Sequence, residues 1–304
     1  MFAEMTEKTF QVASPARLEL SNIRGSVEVH ACQEGVIQVT AVKQTDTGCA
    51  ECTEIEMSQS ADGTVVVRTH FPEASWNWLF GSHPCKVDYV VRAPHACALR
   101  LRGVSNTVDV RGFDGECSVD TVSGEVDLRD LHADLQLRTV SGNVAGERLI
   151  GSLDLKTVSG NVSLKESSLT SLHSTAVSGD LDLETALAAG PYAFDSVSGD
   201  VRLSLPPATR CTAELSSLSG NLSTAFPVSG YSHGPGLHSV MIQGGGVRVS
   251  LRSASGDLAL DSRGPLPADA AQARAPAAEA RRTVLERLEH GELTVEEALS
   301  QLKG

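Results

Sequence analysis

A four-residue string recurs along this chain and constrains its fold more than any other feature. It reads Thr121-Val-Ser-Gly124, Thr139-Val-Ser-Gly142, Thr157-Val-Ser-Gly160, Ala176-Val-Ser-Gly179, Ser196-Val-Ser-Gly199, Ser217-Leu-Ser-Gly220 and Ser253-Ala-Ser-Gly256. From glycine to glycine the steps are 18, 18, 19, 20, 21 and 36 residues, the last a doubled interval. Apolar residues alternate around each copy, which is the period of a strand with one buried face. Three residues before the Val column stand Val119, Leu137, Leu155, Ser174, Phe194, Leu215 and Leu251; four after it stand Val126, Val144, Val162, Leu181, Val201, Leu222 and Leu258. Leu101 to Val108, with Asn106 in place of glycine, and Leu18 to Val29 fit the same template.

A unit of 18–21 residues holds two or three short strands, too little to bury its own apolar face. Stacked units can do so, each hydrogen-bonding to its neighbours at about 4.8 Å. The pattern therefore predicts an all-β chain built as a parallel β-solenoid (β-helix), roughly 45–50 Å long for nine or more coils. Glycine at the Ser-Gly corner supplies the positive φ or close approach that a tight turn needs, and Asn106 is the substitute best able to tolerate it. A leucine-rich repeat has a similar period, but its Leu-rich consensus and asparagine position are missing. A β-sandwich would place turns about every 8–12 residues without a register locked to one string.

Composition points the same way. Only 4% of residues are aromatic, against 27 glycines, so the interior must be built from branched aliphatics, which suit stacked strands better than the pocket of a nucleotide or flavin enzyme. With 25 Lys+Arg against 38 Asp+Glu, a net charge of −13 lacks the basic footprint of a nucleic-acid binder. No basic segment followed by an apolar run opens the chain, and no run approaches the roughly 20 residues needed to span a bilayer. The expectation is a soluble, cytoplasmic chain without a transmembrane segment; nothing in the sequence supports contact with a surface glycan or a membrane. Seven cysteines, an odd number, fit no disulfide-stapled scaffold and are expected to be mostly reduced.

Three domains follow. Residues 1–262 form the solenoid, with 10–95 as irregular N-terminal coils or a cap and 96–262 as regular repeats. The interval between Gly220 and Gly256 reads as a loop inserted between late coils, given Gly244-Gly-Gly246 and the Gly-Pro-Gly236 run. Residues 263–279 are an Ala/Pro-rich linker. Residues 280–304 change period and read as a helical hairpin: a helix ends at Gly291, and Thr294-Val-Glu-Glu297 is a capping box opening a second. Val284, Leu285, Leu288, Val295, Leu299 and Leu302, with Ala298, make one apolar seam. A hairpin of this size falls below the roughly 40 residues that usually fold unaided, so it should pair with another copy or dock on a protein partner.

Both pieces resemble known families. The Val-Ser-Gly repeat, preceded by Val87-Asp-Tyr-Val-Val-Arg-Ala-Pro94, resembles the bacterial putative-adhesin domain family of unknown function, over roughly residues 10–262. That resemblance implies a β-solenoid and supplies no catalytic residues. The segment from Val284 to Leu302 is similar to the short SHOCT-type helical module, which implies oligomerisation. Some Gram-positive envelope-stress proteins of the Lia type join two such pieces, usually with the helical module first, whereas in this sequence it comes last.

Several residue groups invite specific chemistry. The residue after each corner glycine forms a polar column, Glu125, Asn143, Asn161, Asp180, Asp200, Asn221 and Asp257. Stacked carboxylates suit calcium, yet Asp and Asn are also good turn residues beside glycine, and the Gly-Gly-x-Gly-x-Asp calcium repeat is absent. Paired outward acids also suit a carbohydrate-active solenoid enzyme, but such enzymes carry long groove-walling loops and these coils are short and uniform. Cys49, Cys52, His83 and Cys85 hold the inventory of a structural zinc site, although only one Cys-x-x-Cys spacing is present and loop thiols can simply oxidise. Trp76 and Trp78 concentrate the only tryptophans outside the repeat, as an end plug or a contact loop. The repeated serine column has no recurring histidine, so no nucleophile is activated. The sequence thus reads as a non-enzymatic, cofactor-free binding scaffold; a carbohydrate-active enzyme and an end-to-end filament are the alternatives.

Overall fold

The computed structural model describes residues 3–32, 35–71, 83–188, 190–234 and 236–263. Among them are twenty strands and no helix, joined in one hydrogen-bonded sheet that winds as a solenoid, with most ladders parallel. The strand Val126–Ser141 shows why. Val126 and Leu128 point inward, then Leu131, Ala133, Leu135, Leu137 and Thr139, with the residues between them facing out. Parity changes at Asp130, whose φ of 54° turns the chain; Arg148 (53°) and Glu166 (49°) repeat that corner on the next two coils. The other corner is the Ser-Gly step.

Register copies the repeat. Val126, Val144 and Val162 lie side by side, as do Leu137, Leu155 and Ser174. The lengthening from 18 to 19 residues is absorbed by a bulge between Gly151 and Ser152, so the inward columns stay aligned. Each fully buried leucine or valine contributes about 1.5–3 kcal/mol of hydrophobic stabilisation. The inward columns form one continuous core from Leu18 to Leu260.

The late coils depart from chain order. The doubled interval suggests that the Gly220 coil follows the Gly199 coil and precedes the Gly256 coil. In the structure the Gly256 coil lies between the other two: Leu251 is flanked by Phe194 and Leu215, and Leu258 by Val201 and Leu222. The cause lies in the segment read as an inserted loop. It forms an antiparallel hairpin, Val228–Gly234 with Leu237–Ile242, and the second of these strands pairs with Cys211–Ser219 on its outer edge. That edge being taken, the final coil, Val247–Ser255 and Leu258–Ser262, enters on the inner one.

At the other end, the strand Ala16–Cys32 abuts Cys97–Arg111 directly, with Leu20 beside Leu101 and Val29 beside Val110. The intervening chain returns to cover the outer edge of this first coil. Val65–His70 and Lys86–Pro94 pair with it in parallel, and Glu54–Gln59, Val36–Gln44 and Ala3–Gln11 add antiparallel strands beyond them. A buried polar cluster fixes this end. Asn22 donates to the Val87 carbonyl at 2.8 Å, and the Thr69 hydroxyl bridges Asn22 (3.1 Å) and Tyr89 (2.7 Å). Burial pushes the Tyr89 phenol up to about 12. Trp76, Trp78 and the helical-hairpin residues Val284, Leu285, Leu288, Val295, Leu299 and Leu302 lie outside the described residues.

Candidate functional site

The string that builds the corners also builds a surface. The first residue of the string points inward, with Thr121, Thr139 and Thr157 only 5–6% exposed, so the residue that follows must face out. Val104, Val122, Val140, Val158, Val177 and Val197 are each 46–55% exposed, and Leu218 is 91% exposed. Because the coils are in register, these side chains form one stripe along the rod. It begins at half-buried Ile23, beside Val104, and passes through Ala254 before Leu218. Six half-exposed valines and one exposed leucine make a contiguous apolar stripe comparable to the largest patch of a typical monomer, on the order of 300–600 Å². The middle of the stripe lies in a shallow groove with Arg102, Arg138, Lys156 and Thr175 along one side. Asp120 stands between Arg102 (3.9 Å) and Arg138 (3.6 Å), and Lys156 faces Asp154 at 3.7 Å. Exposed pairs such as these hold little energy, and their cations stay accessible to a ligand. This surface was missed in reading the sequence, although counting parity from the inward residue three positions earlier would have revealed it.

On the other side of the stripe runs the polar corner column. Its side chains work as a ladder. The Oδ1 atom of Asn143 accepts from the backbone N–H of Asn161 at 3.1 Å, Asn161 from Asp180 at 3.1 Å, and Asp180 from Asp200 at 3.0 Å. Asp200 then accepts from Asp257 at 2.9 Å, and Asp257 from Asn221 at 2.7 Å. The exchanged coil order thus brings Asp180, Asp200 and Asp257 onto three successive coils, and the ladder explains why Asp or Asn recurs here. Replacing Asp200 with alanine is expected to cost about 1 kcal/mol, and with asparagine much less, in chemical denaturation of the full chain. Equal losses for both would mean that the charge, not the hydrogen bond, matters.

The opposite corner carries ions. The Arg148 guanidinium grips Asp130 with two bonds, at 2.6 and 3.0 Å, and also reaches Glu147 and, at 4.0 Å, Glu166. The hydrogen bond from Arg148 holds the Asp130 carboxyl below its usual range.

The four residues with a zinc inventory are not gathered as a ligand set. Cys49 and Cys52 are joined to each other as a disulfide, while Cys85 is fully buried with its backbone N–H donating to the Thr53 hydroxyl at 3.0 Å. His83 is exposed and touches this loop through its carbonyl, which accepts from the Cys49 N–H at 2.9 Å. With two of the three sulfurs bonded to each other, the donors left could not complete a tetrahedral site. Among the described residues no group of three or more His, Cys, Asp or Glu side chains is placed to hold a metal ion. Cys97, Cys117 and Cys211 are core residues whose thiols burial pushes up to about 12, about 12 and about 11. They are poor nucleophiles at neutral pH. Among the described residues no helix is long and apolar enough to cross a membrane.

Comparison with known proteins follows the architecture. A putative adhesin from Bacteroides fragilis is 10% identical, is covered over 97% of its length by 84% of this chain, and has a TM-score of 0.50. A putative adhesin from Parabacteroides distasonis, also 10% identical, is covered over 97% by 86% of this chain at a TM-score of 0.42. The first of these shares the fold. No curated protein matches the chain. The run of regular coils, residues 115–261, matches the family model of Toastrack DUF4097, and the chain thus carries a domain similar to that family.

Proposed function

We propose that this protein is a non-enzymatic binding scaffold whose working surface is the outward valine stripe, with the C-terminal segment from Val284 to Leu302 serving oligomerisation or partner docking. The observation that carries the reading is the stripe itself. A β-branched side chain is kept half exposed on six coils, where a polar residue would serve the corner as well. The adhesin name borne by the structural neighbour is in keeping with a binding role. Two observations count against the alternatives. One oxygen each of Asp180, Asp200 and Asp257 is committed to the neighbouring coil, which argues against a paired-acid enzyme. Antiparallel strands cover most of the outer edge at both ends, which argues against end-to-end filaments of stacked coils.

The test uses the full chain with Val140, Val158 and Val177 each changed to glutamate. These side chains are outward, so the melting temperature should move by no more than a few degrees. In a pull-down from the native cell, proteins retained by the wild-type chain should fall at least tenfold. Undiminished retention by a folded variant would refute the stripe as the working surface.

A further inference from the structure

The stripe needs an occupant, and the chain contains a segment suited to it. We infer that residues 284–302 of the same molecule dock on the valine stripe and cover it until a partner displaces them; this rests on the binding reading above.

Three observations converge. The first is apolar demand on both sides. The segment has an apolar seam but is too short to fold unaided, while the stripe is a long apolar surface with no partner among the described residues. The second is charge. Between Val284 and Leu302 stand Glu286, Glu289, Glu292, Glu296 and Glu297 against one cation, Arg287. One flank of the stripe carries Arg102, Arg138 and Lys156 with Asp120 among them, and the other carries the corner column with Glu125 and Asp180. An acidic segment lying toward the Arg138 and Lys156 flank meets complementary charge, whereas a second copy laid stripe to stripe in antiparallel register about the Val140–Val158 midpoint would set Arg138 against Lys156.

The third is reach. The last described residue, Arg263, is tied back to the two preceding coils: its N–H donates to the Leu205 carbonyl at 2.7 Å, and its guanidinium pairs with Glu184. Those coils carry Val197 and Val177. Twenty residues separate Arg263 from Val284, a length that as a random coil spans on the order of 25 Å, and five coils of stripe measure about 24 Å. The segment therefore reaches the middle of the stripe at an effective concentration in the millimolar range.

Limited trypsin digestion of the full-length protein at dilute concentration tests the inference. Arg287 lies inside the docked segment and Arg274 in the connector. Cleavage after Arg287 should be at least tenfold slower in the wild type than in either of two variants, Leu288→Glu or the triple Val140→Glu, Val158→Glu, Val177→Glu. Cleavage after Arg274 should be equal in all three. Leu288→Glu leaves the solenoid untouched, so a folding defect cannot produce the result. Equal cleavage after Arg287 would overturn the proposal. So would protection that vanishes on dilution together with a doubled sedimentation mass, which would place the segment on a second copy. If the tail proves undocked while the valine variant still loses its partner, the binding scaffold stands and only this occupant is removed.

Discussion

Replacing Gly160 with valine is expected to destabilise the protein by about 4–5 kcal/mol and to lower its melting temperature by roughly 10 °C. Two costs combine. Gly160 has a φ of 144°, a region that side chains with a Cβ rarely adopt, and a Cβ built there would stand 2.0 Å from the carbonyl oxygen of Gly142 on the neighbouring coil. The obstacle is backbone held in the ladder, so it cannot give way. Gly115→Ala supplies the control. Its φ is 123°, but nothing lies within 4 Å of the added Cβ, so only the conformational cost of about 1–2 kcal/mol should remain. Comparable losses at the two sites would mean that coil-to-coil approach is not what selects glycine at the corner.

Leu251→Asp should have a comparable effect with a different spatial signature. Leu251 is fully buried between Phe194 and Leu215, and an unpaired carboxylate there costs about 4 kcal/mol, roughly a thousandfold in the local opening equilibrium. Because the Gly256 coil separates its neighbours, amides of 211–219 should lose hydrogen-exchange protection together with those of 247–255, while 126–159 keep theirs. Were the coils stacked in chain order, 211–219 would remain protected against 192–198. The experiment thus reads the exchanged order directly.

Much of this architecture was legible because a period-two pattern locked to a recurring Ser-Gly corner leaves few ways to bury Val119, Leu137 and Leu155 together. Asn106 in place of glycine was legible for the same reason, and in the structure the Gly124 corner does stack on it. The order of the last two coils was not. Every copy offers a neighbour the same edges, so the repeat cannot say which coil adjoins which; the choice was made by the hairpin around Tyr231 and His238, whose strands carry no copy of the string. The Cys49–Cys52 bond was open to two readings, since thiol spacing alone does not separate a metal clamp from a disulfide.

The candidate surface was hidden for a simpler reason. Val140 looks like a core residue by type, and only its parity relative to Leu137 and Thr139 turns it outward. The same parity shows that the Asp and Asn column, which first suggests cations or catalysis, is largely a hydrogen-bonding device between coils.

The central claim, that the valine stripe is the occupied surface, is tested most directly by site-specific photo-crosslinking in the native cell. A benzophenone amino acid is placed at Val158 on the stripe or at Ala145, exposed on the other face of the same run of coils. The Val158 probe should capture residues 284–302 of its own chain and, with Leu288→Glu added, a different protein, each at least tenfold above the Ala145 probe. Equal yields at the two positions would contradict the account.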